Sequence, residues 1–179
     1  MAETRTSFRS FPSTQPPPEI VQRVVEVFEQ NHEAIAPAAE GNRFGSDKVL
    51  SALRDDLVLI GFDVEASKQR RGKLHRPVFF GEGGQPSLQY EVDAFHPQAR
   101  CGLEIEAGRG MQGNAFYRDL VQAMVMVGVD HLIIALLNTY RGGSGSKDYV
   151  KAVSIAESVY AHDRVKLPFG LTVIGYGPR

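Results

Sequence analysis

The chain has 179 residues, of which 42% are apolar and 23% are charged, as expected for one ordinary globular domain. Twenty basic and twenty-one acidic residues give a net charge of −1, so any nucleic-acid binding must use a local basic patch. The single cysteine, Cys101, excludes an internal disulfide and a cysteine metal cluster, and no segment is apolar for long enough to span a membrane. We therefore expect a soluble cytoplasmic protein with no membrane partner.

The N-terminal third of the chain is predicted to be a tail followed by two helices and a strand. Residues 1–18 are rich in Ser, Thr, Gln and Pro, which predicts a disordered or extended tail before a single domain at residues 19–179. Helical spacing of apolar residues predicts an amphipathic helix over Glu19–Ile35, whose acidic face is either solvated or supplies a glutamate to a site. Ser46 is a candidate N-cap for the next helix, and Leu59–Glu65 is typical of a strand.

Basic residues are concentrated in one short stretch after this strand. Such a stretch is typical of a loop that follows the phosphates of a nucleic acid. An ordinary mobile polar loop has the same composition, so both interpretations stay open. The residues of this basic stretch are Lys68, Arg70, Arg71, Lys73 and Arg76.

Alternation of apolar and polar residues over Leu88–Glu106 predicts two half-buried strands. If the strands form a simple antiparallel hairpin, Asp93 lies opposite Glu104 and Glu91 lies opposite Glu106. Cross-strand partners are about 5 Å apart at Cβ, and like charges at that separation destabilise a sheet. The shared face is therefore either a solvated edge or a site for a divalent cation such as Mg²⁺, which takes oxygen ligands.

The rest of the chain is predicted to alternate helices with strands. Gly108–Gly113 matches the glycine pattern of a dinucleotide-binding turn, although the two glutamates before it would repel a pyrophosphate. A buried helix is predicted over Asn114–Val127, an interior strand over His131–Tyr140, a helix over 147–162 and a last strand over Leu171–Tyr176. The polar stripe of the first of these helices consists of Asn114, Arg118 and Gln122.

The carboxylate pattern resembles the active-site signature of an enzyme superfamily. Asp93, ten intervening residues and the triplet Glu104-Ile105-Glu106 are similar to the motif of the PD-(D/E)XK nucleases. The last glutamate stands where these enzymes usually have lysine, as in BamHI/BglII-type restriction endonucleases. The YRDLVQA segment after the motif also resembles BglII-type enzymes, and the local match covers about residues 88–140. The resemblance implies an α/β, restriction-endonuclease-like fold, with a mixed central β-sheet flanked by α-helices.

By the same resemblance, we expect a Mg²⁺-dependent endonuclease, such as a type II restriction enzyme or a relative of one, that hydrolyses phosphodiester bonds in DNA, with Mn²⁺ as a substitute metal. Asp93 and Glu104 would hold the metal with help from the Ile105 carbonyl. Glu106 would orient or deprotonate the attacking water, or bind a second metal. Arg118 would contact phosphate or steady the site carboxylates.

Other roles and functions remain open at this stage. Glu91, Asn114 and Gln122 are possible additional site residues. The resemblance also implies a homodimer, which we expect to form through the helix at 19–35 or the helix at 147–162. The alternatives to a nuclease are a catalytically inactive nucleic-acid-binding or assembly module on the same fold and, more remotely, a dinucleotide-binding enzyme.

Overall fold

The computed structural model describes residues 6–36, 44–67, 69–108, 110–111, 113–139 and 147–178. The helices are α1 (Glu19–Gln30), α2 (His32–Ile35), α3 (Ser46–Leu59), α4 (Ala115–Val125) and α5 (Asp148–Ala161). The strands are β1 (Ser7–Phe11), β2 (Asp63–Val64), β3 (Leu74–Phe80), β4 (Pro86–Val92), β5 (Ala94–His96), β6 (Cys101–Glu106), β7 (His131–Leu137) and β8 (Gly170–Tyr176). Short 3-10 turns cover Arg70–Gly72 and Glu82–Gly84.

Six strands form one mixed sheet in the order β1-β8-β7-β6-β5-β2, and β3 pairs with β4 in a separate two-stranded sheet. The three central strands β6, β7 and β8 are parallel. Their outer neighbours β5 and β1 run antiparallel to them, and β2 is antiparallel to β5. The predicted mixed central sheet flanked by helices is therefore confirmed.

The position of β7 between two cores explains why its sequence is almost continuously apolar. Ile133 and Ala135 pack into the core on the side of α1 and α3, whereas Leu132 and Ile134 pack into the core on the side of α4 and α5. Both faces of β7 are covered, so the alternation of a half-buried strand is absent. The domain thus consists of three layers, with the sheet between two layers of helices.

The alternation along β6 separates its apolar and acidic residues between these two layers. Leu103 and Ile105 belong to the core that α1 and α3 cover. Successive side chains of a strand point to opposite faces, so Glu104 and Glu106 point to the face that α4 covers.

The predicted N-terminal tail is corrected for residues 7–11, which form the edge strand β1 of the main sheet. Their register on β8 runs from Ser7 opposite Gly175 to Phe11 opposite Leu171. Phe11 is buried in the core beside α5. A short edge strand with polar outward residues carries little apolar signal, so composition alone assigned it to a tail.

Two further element bounds differ from the sequence expectation. The predicted helix over Glu19–Ile35 is interrupted at Asn31 and resumes as α2, and the Asn31 side chain donates hydrogen bonds to the Val27 carbonyl at 3.0 Å and to Asp56 Oδ2 at 2.6 Å. The expected strand over Leu59–Glu65 is reduced to β2, since α3 continues to Leu59 and the chain turns at Gly61 with φ +103°.

Parts of the sequence analysis fall on residues that the structure does not describe. Lys68, Arg109, Gln112 and residues 140–146 lie outside the described ranges. Across the described ranges, the helices are all too short or too polar to cross a membrane.

Candidate active site

The acidic strand pair is built around a break at Asp93. The strand β4 ends at Val92 and β5 begins at Ala94, so Asp93 stands between two elements that belong to different sheets. Its carbonyl accepts a 2.8 Å hydrogen bond from the Glu65 backbone, and its Oδ2 accepts a 2.8 Å hydrogen bond from the Ile105 N–H. The first bond fixes the backbone of Asp93 to the segment after β2, and the second fixes its carboxylate to β6.

The register between β5 and β6 is the one that the sequence predicted. Ala94 pairs with Leu103, and His96 pairs with Cys101. Continuing this register by one residue places Asp93 beside Glu104. Burial, assisted by Glu65 and Asp119, raises the pKa of Asp93 to about 6.

The predicted opposition of Glu91 and Glu106 is wrong. Because the chain breaks at Asp93, β4 leaves the hairpin and pairs with β3, where Glu91 lies opposite His75. The Glu91 carboxylate is instead 3.1 Å from the ammonium of Lys73. Glu91 therefore lies in the wall of the site and does not face β6 directly.

The carboxylates of β6 share the space under α4 with a third acid, Asp119. Burial raises the pKa of Glu104 well above its usual value, and the charges of Asp93, Asp119 and Glu106 raise it further. The pKa of Glu106 is raised to about 7, first by burial and then by Asp119. These groups disfavour each other's charged forms because they are close together in a partly dry environment.

Arg118 and Asp119 on α4 connect the helix to this cluster. The Arg118 guanidinium donates to Glu106 Oε1 at 3.0 Å and to Asp119 Oδ1 from Nε at 3.0 Å and from Nη2 at 2.9 Å. Asp119 is buried, and its pKa is raised mainly by that burial. Its Oδ2 is also buried and has no hydrogen-bond partner among the described residues. The sequence analysis noted Asp119 only within a resembling segment, because a helical pattern does not show which residue faces a neighbouring sheet.

Asn114 and Gln122, the other two residues of the predicted polar stripe of α4, occupy different positions relative to the carboxylates. Gln122 lines the same cleft as Asp93, Glu104 and Arg118. Asn114 is exposed at the start of α4, where its backbone has φ 56° and its carbonyl accepts a 3.0 Å hydrogen bond from the Arg118 N–H. Gln122 is therefore a neighbour of the carboxylates, whereas Asn114 is placed to begin the helix.

The cleft has a volume of about 510 Å³ and is bounded by the β3–β4 sheet on one side and by β6 and α4 on the other. Its lining is predominantly polar. The lining residues are Glu65, Lys73, His75, Gln89, Tyr90, Glu91, Val92, Asp93, Glu104, Arg118, Asp119 and Gln122.

The basic stretch does not form one continuous loop. Lys73 lies inside the cleft, between the carboxylates of Glu65 and Glu91. Arg71 is exposed in a 3-10 turn, and the structure describes the backbone of Arg70 but not its side chain. Arg76 lies elsewhere, stacked 3.8 Å from the centre of the Phe95 ring with a 3.2 Å hydrogen bond to the Val127 carbonyl.

Close packing on the sheet explains one of the glycines in the turn after β6. A Cβ at Gly110 would lie 2.3 Å from a side-chain carbon of Leu136 and 3.0 Å from Glu106 Cβ. The turn therefore packs directly on the sheet at this position. This close packing explains a glycine here without a bound pyrophosphate.

The carboxylate oxygens of Asp93 and Glu104 are compatible with Mg²⁺ if a backbone carbonyl and substrate oxygens complete the coordination of the metal. Among the described residues, no three His, Cys, Asp or Glu side chains are grouped closely enough to hold a metal ion alone. Mg²⁺, however, is commonly held by one or two carboxylates together with substrate phosphate and water. The N–H and the carbonyl of a strand residue point to the same side, so the Ile105 carbonyl points toward Asp93. Asp93, Glu104 and this carbonyl are hard oxygen donors, and a cation would relieve the repulsion that raises both carboxylate pKa values.

Comparison with known proteins identifies the fold and nothing finer. No protein-family description matches the chain, and no curated protein matches its sequence. Among solved structures, the restriction endonuclease BglII complexed with a DNA 16-mer matches with a TM-score of 0.58 and 12% sequence identity. The match covers 97% of this chain and 77% of the BglII chain. The fold is therefore restriction-endonuclease-like.

Proposed function

We propose that this protein is a metal-dependent DNA endonuclease that hydrolyses phosphodiester bonds. The observation that carries the proposal is the convergence of Asp93, Glu104 and Asp119 with Arg118 in one cleft of a restriction-endonuclease-like fold. Buried acids that shift each other's pKa values in a cleft are typical of functional sites. The solved structure that matches the fold contains DNA, which supports DNA as the substrate class.

The roles of the residues follow from their positions. Asp93, Glu104 and the Ile105 carbonyl would hold Mg²⁺, or Mn²⁺ in its place. The metal would supply Lewis-acid polarisation of the phosphate and a lowered pKa for bound water. Glu106, whose pKa is about 7, can accept a proton near neutral pH, as a general base requires. Arg118 already contacts Glu106 and Asp119, so its role is to steady these carboxylates.

Phosphate contacts outside the carboxylate cluster are assigned to the basic stretch. Arg71 is exposed, and Lys73 is already inside the cleft. Lys68 and Arg70 are proposed as further contacts from their sequence positions. Arg76 is the least suited of the five, because its guanidinium is engaged with Phe95 and Val127.

The direct test is cleavage of a supercoiled plasmid with Mg²⁺ or Mn²⁺, and with EDTA in place of metal. We expect cleavage with either metal and none with EDTA. Glu104→Gln preserves shape and removes a ligand charge, so it should abolish cleavage while the circular dichroism spectrum stays unchanged. Glu157→Gln, in an exposed ion pair with Arg9 at 2.8 Å, is the matched control. Equal cleavage by Glu104→Gln and the control would reject the assigned site.

The pH dependence of metal binding provides a second test. A metal competes with protons for its carboxylates. The pKa of Asp93 is about 6, that of Glu106 is about 7 and that of Glu104 is raised, so Mn²⁺ affinity should increase as the pH rises from about 5 to about 8. Calorimetric titration at several pH values measures this trend. A constant affinity over the same range would contradict binding at these carboxylates.

The second candidate is a catalytically inactive DNA-binding or assembly module. Two observations favour it: glutamate stands at position 106 where the related motif usually has lysine, and Arg118 neutralises that glutamate. Such a module would bind duplex DNA in EDTA and leave the plasmid intact in every metal. The cleavage assay above therefore separates the two functions.

A further inference from the structure

Among the described residues that line the cleft, Lys73 and Arg118 are the lysine and the arginine, and Lys73 is the one that α4 does not carry. Its ammonium is 3.1 Å from Glu65 Oε2 and 3.1 Å from Glu91 Oε2, and its side chain is only 18% exposed. Lys73 lines the same cleft as Asp93 and Glu104. A positive charge thus lies beside the carboxylate cluster although the acidic strand itself carries no lysine.

The two partners of Lys73 differ in how firmly they are held. Glu65 is buried, with its side chain 6% exposed, and its backbone N–H donates to the Asp93 carbonyl. The Glu91 side chain is 56% exposed and projects from a strand of the two-stranded sheet. An ion pair with an exposed partner contributes little to stability, so the Glu91 contact is the one that a competing anion can replace.

The donor geometry of Lys73 allows such an exchange. A lysine ammonium has three N–H donors, and among the described residues its side-chain partners are Glu65 and Glu91. Burial alone would lower the pKa of Lys73, but the two glutamates together raise it above its usual value. Lys73 is therefore charged at neutral pH, and its charge is available to a phosphate oxygen that enters the cleft.

We propose that Lys73 binds a backbone phosphate beside the carboxylate cluster, and that its ammonium exchanges Glu91 for a phosphate oxygen when nucleic acid enters the cleft. Glu65 holds the ammonium in place during the exchange. Glu91 covers the charge in the free protein and competes with the substrate. This inference rests on the proposed function, because it assumes that nucleic acid occupies this cleft.

The test is a double-mutant cycle on duplex DNA binding, measured by fluorescence anisotropy in EDTA over a range of salt concentrations. Lys73→Gln should weaken binding about tenfold, the loss of one charge-assisted hydrogen bond. It should also reduce the slope of the logarithm of the binding constant against the logarithm of the salt concentration by about 0.9, the value for one lost phosphate contact. Glu91→Gln should strengthen binding in the parent protein, because it removes the competing carboxylate.

The decisive comparison is Glu91→Gln in the Lys73→Gln background. If Glu91 acts by competing for Lys73, its substitution gains nothing once Lys73 is absent, and the two effects are not additive. A gain of equal size in both backgrounds would mean that Glu91 repels DNA generally, and it would overturn the proposal. An unchanged salt slope in Lys73→Gln would also overturn it. The matched control pair, Arg9→Gln and Glu157→Gln, removes an ion pair at β1, on the opposite edge of the sheet, and should change neither affinity nor slope.

The outcomes of this experiment distinguish a failure of the Lys73 proposal from a failure of the proposed nuclease function. If the cycle behaves as expected but no metal supports cleavage, the Lys73 site stands and the nuclease function is rejected. If the parent cleaves DNA but Lys73→Gln retains the full salt slope, the nuclease function stands and the Lys73 site is rejected. A parent that binds no duplex DNA at any salt concentration rejects the Lys73 site, and the nuclease function is rejected with it only if no metal supports cleavage either.

Discussion

The backbone N–H of Ile105 donates a 2.8 Å hydrogen bond to Asp93 Oδ2 just beyond the point where pairing between β5 and β6 stops. The side chain of Asp93 thus replaces a strand residue as the partner of β6. One carboxylate oxygen is fixed by the backbone, so the orientation of the other is fixed as well. The Asp93 carboxylate is consequently part of the structure of the sheet as well as of the candidate site.

We predict stability effects of different size for the two proposed metal ligands in metal-free buffer. The folded-state pKa of Glu104 is raised, so its charged form destabilises the fold increasingly as the pH rises above its unfolded value of 4.5. Glu104→Gln should therefore raise the melting temperature at pH 8 by about 3–6 °C, or about 1–2 kcal/mol for a chain of this size. Asp93→Ala should stabilise less than Glu104→Gln, because it removes a charge whose pKa is also raised but leaves the Ile105 N–H without its acceptor.

Calorimetry in EDTA at pH 8 and at pH 5 checks this prediction. The stabilisation of Glu104→Gln should shrink as the pH falls to 5, because protonation removes the charge of the parent carboxyl. Added Mn²⁺ should stabilise the parent and have no effect on either variant, because a ligand stabilises only the state that binds it. A lower melting temperature for Glu104→Gln at pH 8 would indicate that Glu104 is held by hydrogen bonds and is not repelled by its neighbours.

Arg118 is predicted to stabilise the fold in a pH-dependent way. Its guanidinium lies against Glu106 and the buried Asp119, so Arg118→Ala leaves two crowded carboxylates without a counter-charge. At pH 8 the expected loss is about 1–3 kcal/mol, reduced from that of a fully buried pair because Arg118 is more than half exposed. At pH 5 the loss should be smaller, since protonation of Glu106 removes the repulsion.

Urea denaturation at both pH values measures the effect, and Arg9→Ala is the matched control. Arg9 has a similar exposure and a 2.8 Å ion pair, but its partner Glu157 is also exposed. Arg9→Ala should therefore cost less than about 1 kcal/mol at either pH. An equal loss for Arg118→Ala at pH 5 and pH 8 would assign the role of Arg118 to packing.

The sequence predicted the parts of this site that depend on strand periodicity. Alternation gave the register that brings Asp93 to Glu104, and the apolar run gave β7 as an interior strand. The same periodicity failed for Glu91, because a single irregular residue at position 93 redirects β4 to another sheet. Alternation identifies the face of a strand but does not identify its neighbour.

Tertiary contacts determine the parts that the sequence did not reveal. Asp119 reaches the candidate site only because α4 crosses the acidic face of β6, and Lys73 of the predicted basic stretch enters the cleft only because β3 pairs with β4. Neither contact leaves a local pattern in the chain. The strand β1 was missed for the same reason, since a five-residue segment pairs with β8 at the other end of the sequence.

His131 is predicted to make the fold sensitive to acid. It is buried at the start of β7, where its Nε2 is 2.9 Å from Thr172 Oγ1, and burial lowers its pKa from 6.5 to about 4. A histidine with a lowered pKa stabilises the fold above its unfolded pKa, and this stability is lost as the pH falls from about 6.5 to about 4. The loss attributable to His131 should reach about 3 kcal/mol at pH 4.

Replacing His131 by Gln keeps a polar group beside Thr172 and removes the titration. The free energy of unfolding of His131→Gln should therefore fall less steeply between pH 6.5 and pH 4 than that of the parent. His162 is exposed, so His162→Gln serves as the control and should follow the parent curve. If the free energy of unfolding of His131→Gln and that of the parent fall in parallel, groups other than His131 cause the loss of stability at low pH.

The last prediction concerns a homodimer, because cutting both strands of a duplex under the proposed function would need two candidate sites and each chain has one. The outward face of α4 carries four exposed apolar side chains, Tyr117, Val121, Met124 and Val125, next to the site residues on its inner face. In contrast, the apolar residues of α1 are buried in the core, and α5 exposes Val150 as its large apolar residue within the described part of the chain. The structure thus adds α4 to the two helices that we expected from the sequence, and a two-fold axis there would bring both sites together.

We expect the parent to be a dimer at micromolar concentration by light scattering, and Val121→Glu to be a monomer, because a buried unpaired charge opposes association. Val58→Glu is the matched control, since Val58 is 55% exposed on α3 and Val121 is 62% exposed. In the plasmid assay, the parent and the control should produce linear DNA, whereas Val121→Glu should produce nicked circles. A dimer that persists in Val121→Glu would place the interface on another helix. A parent that is monomeric both with and without DNA would contradict double-strand cleavage and favour a nicking enzyme or the inactive module.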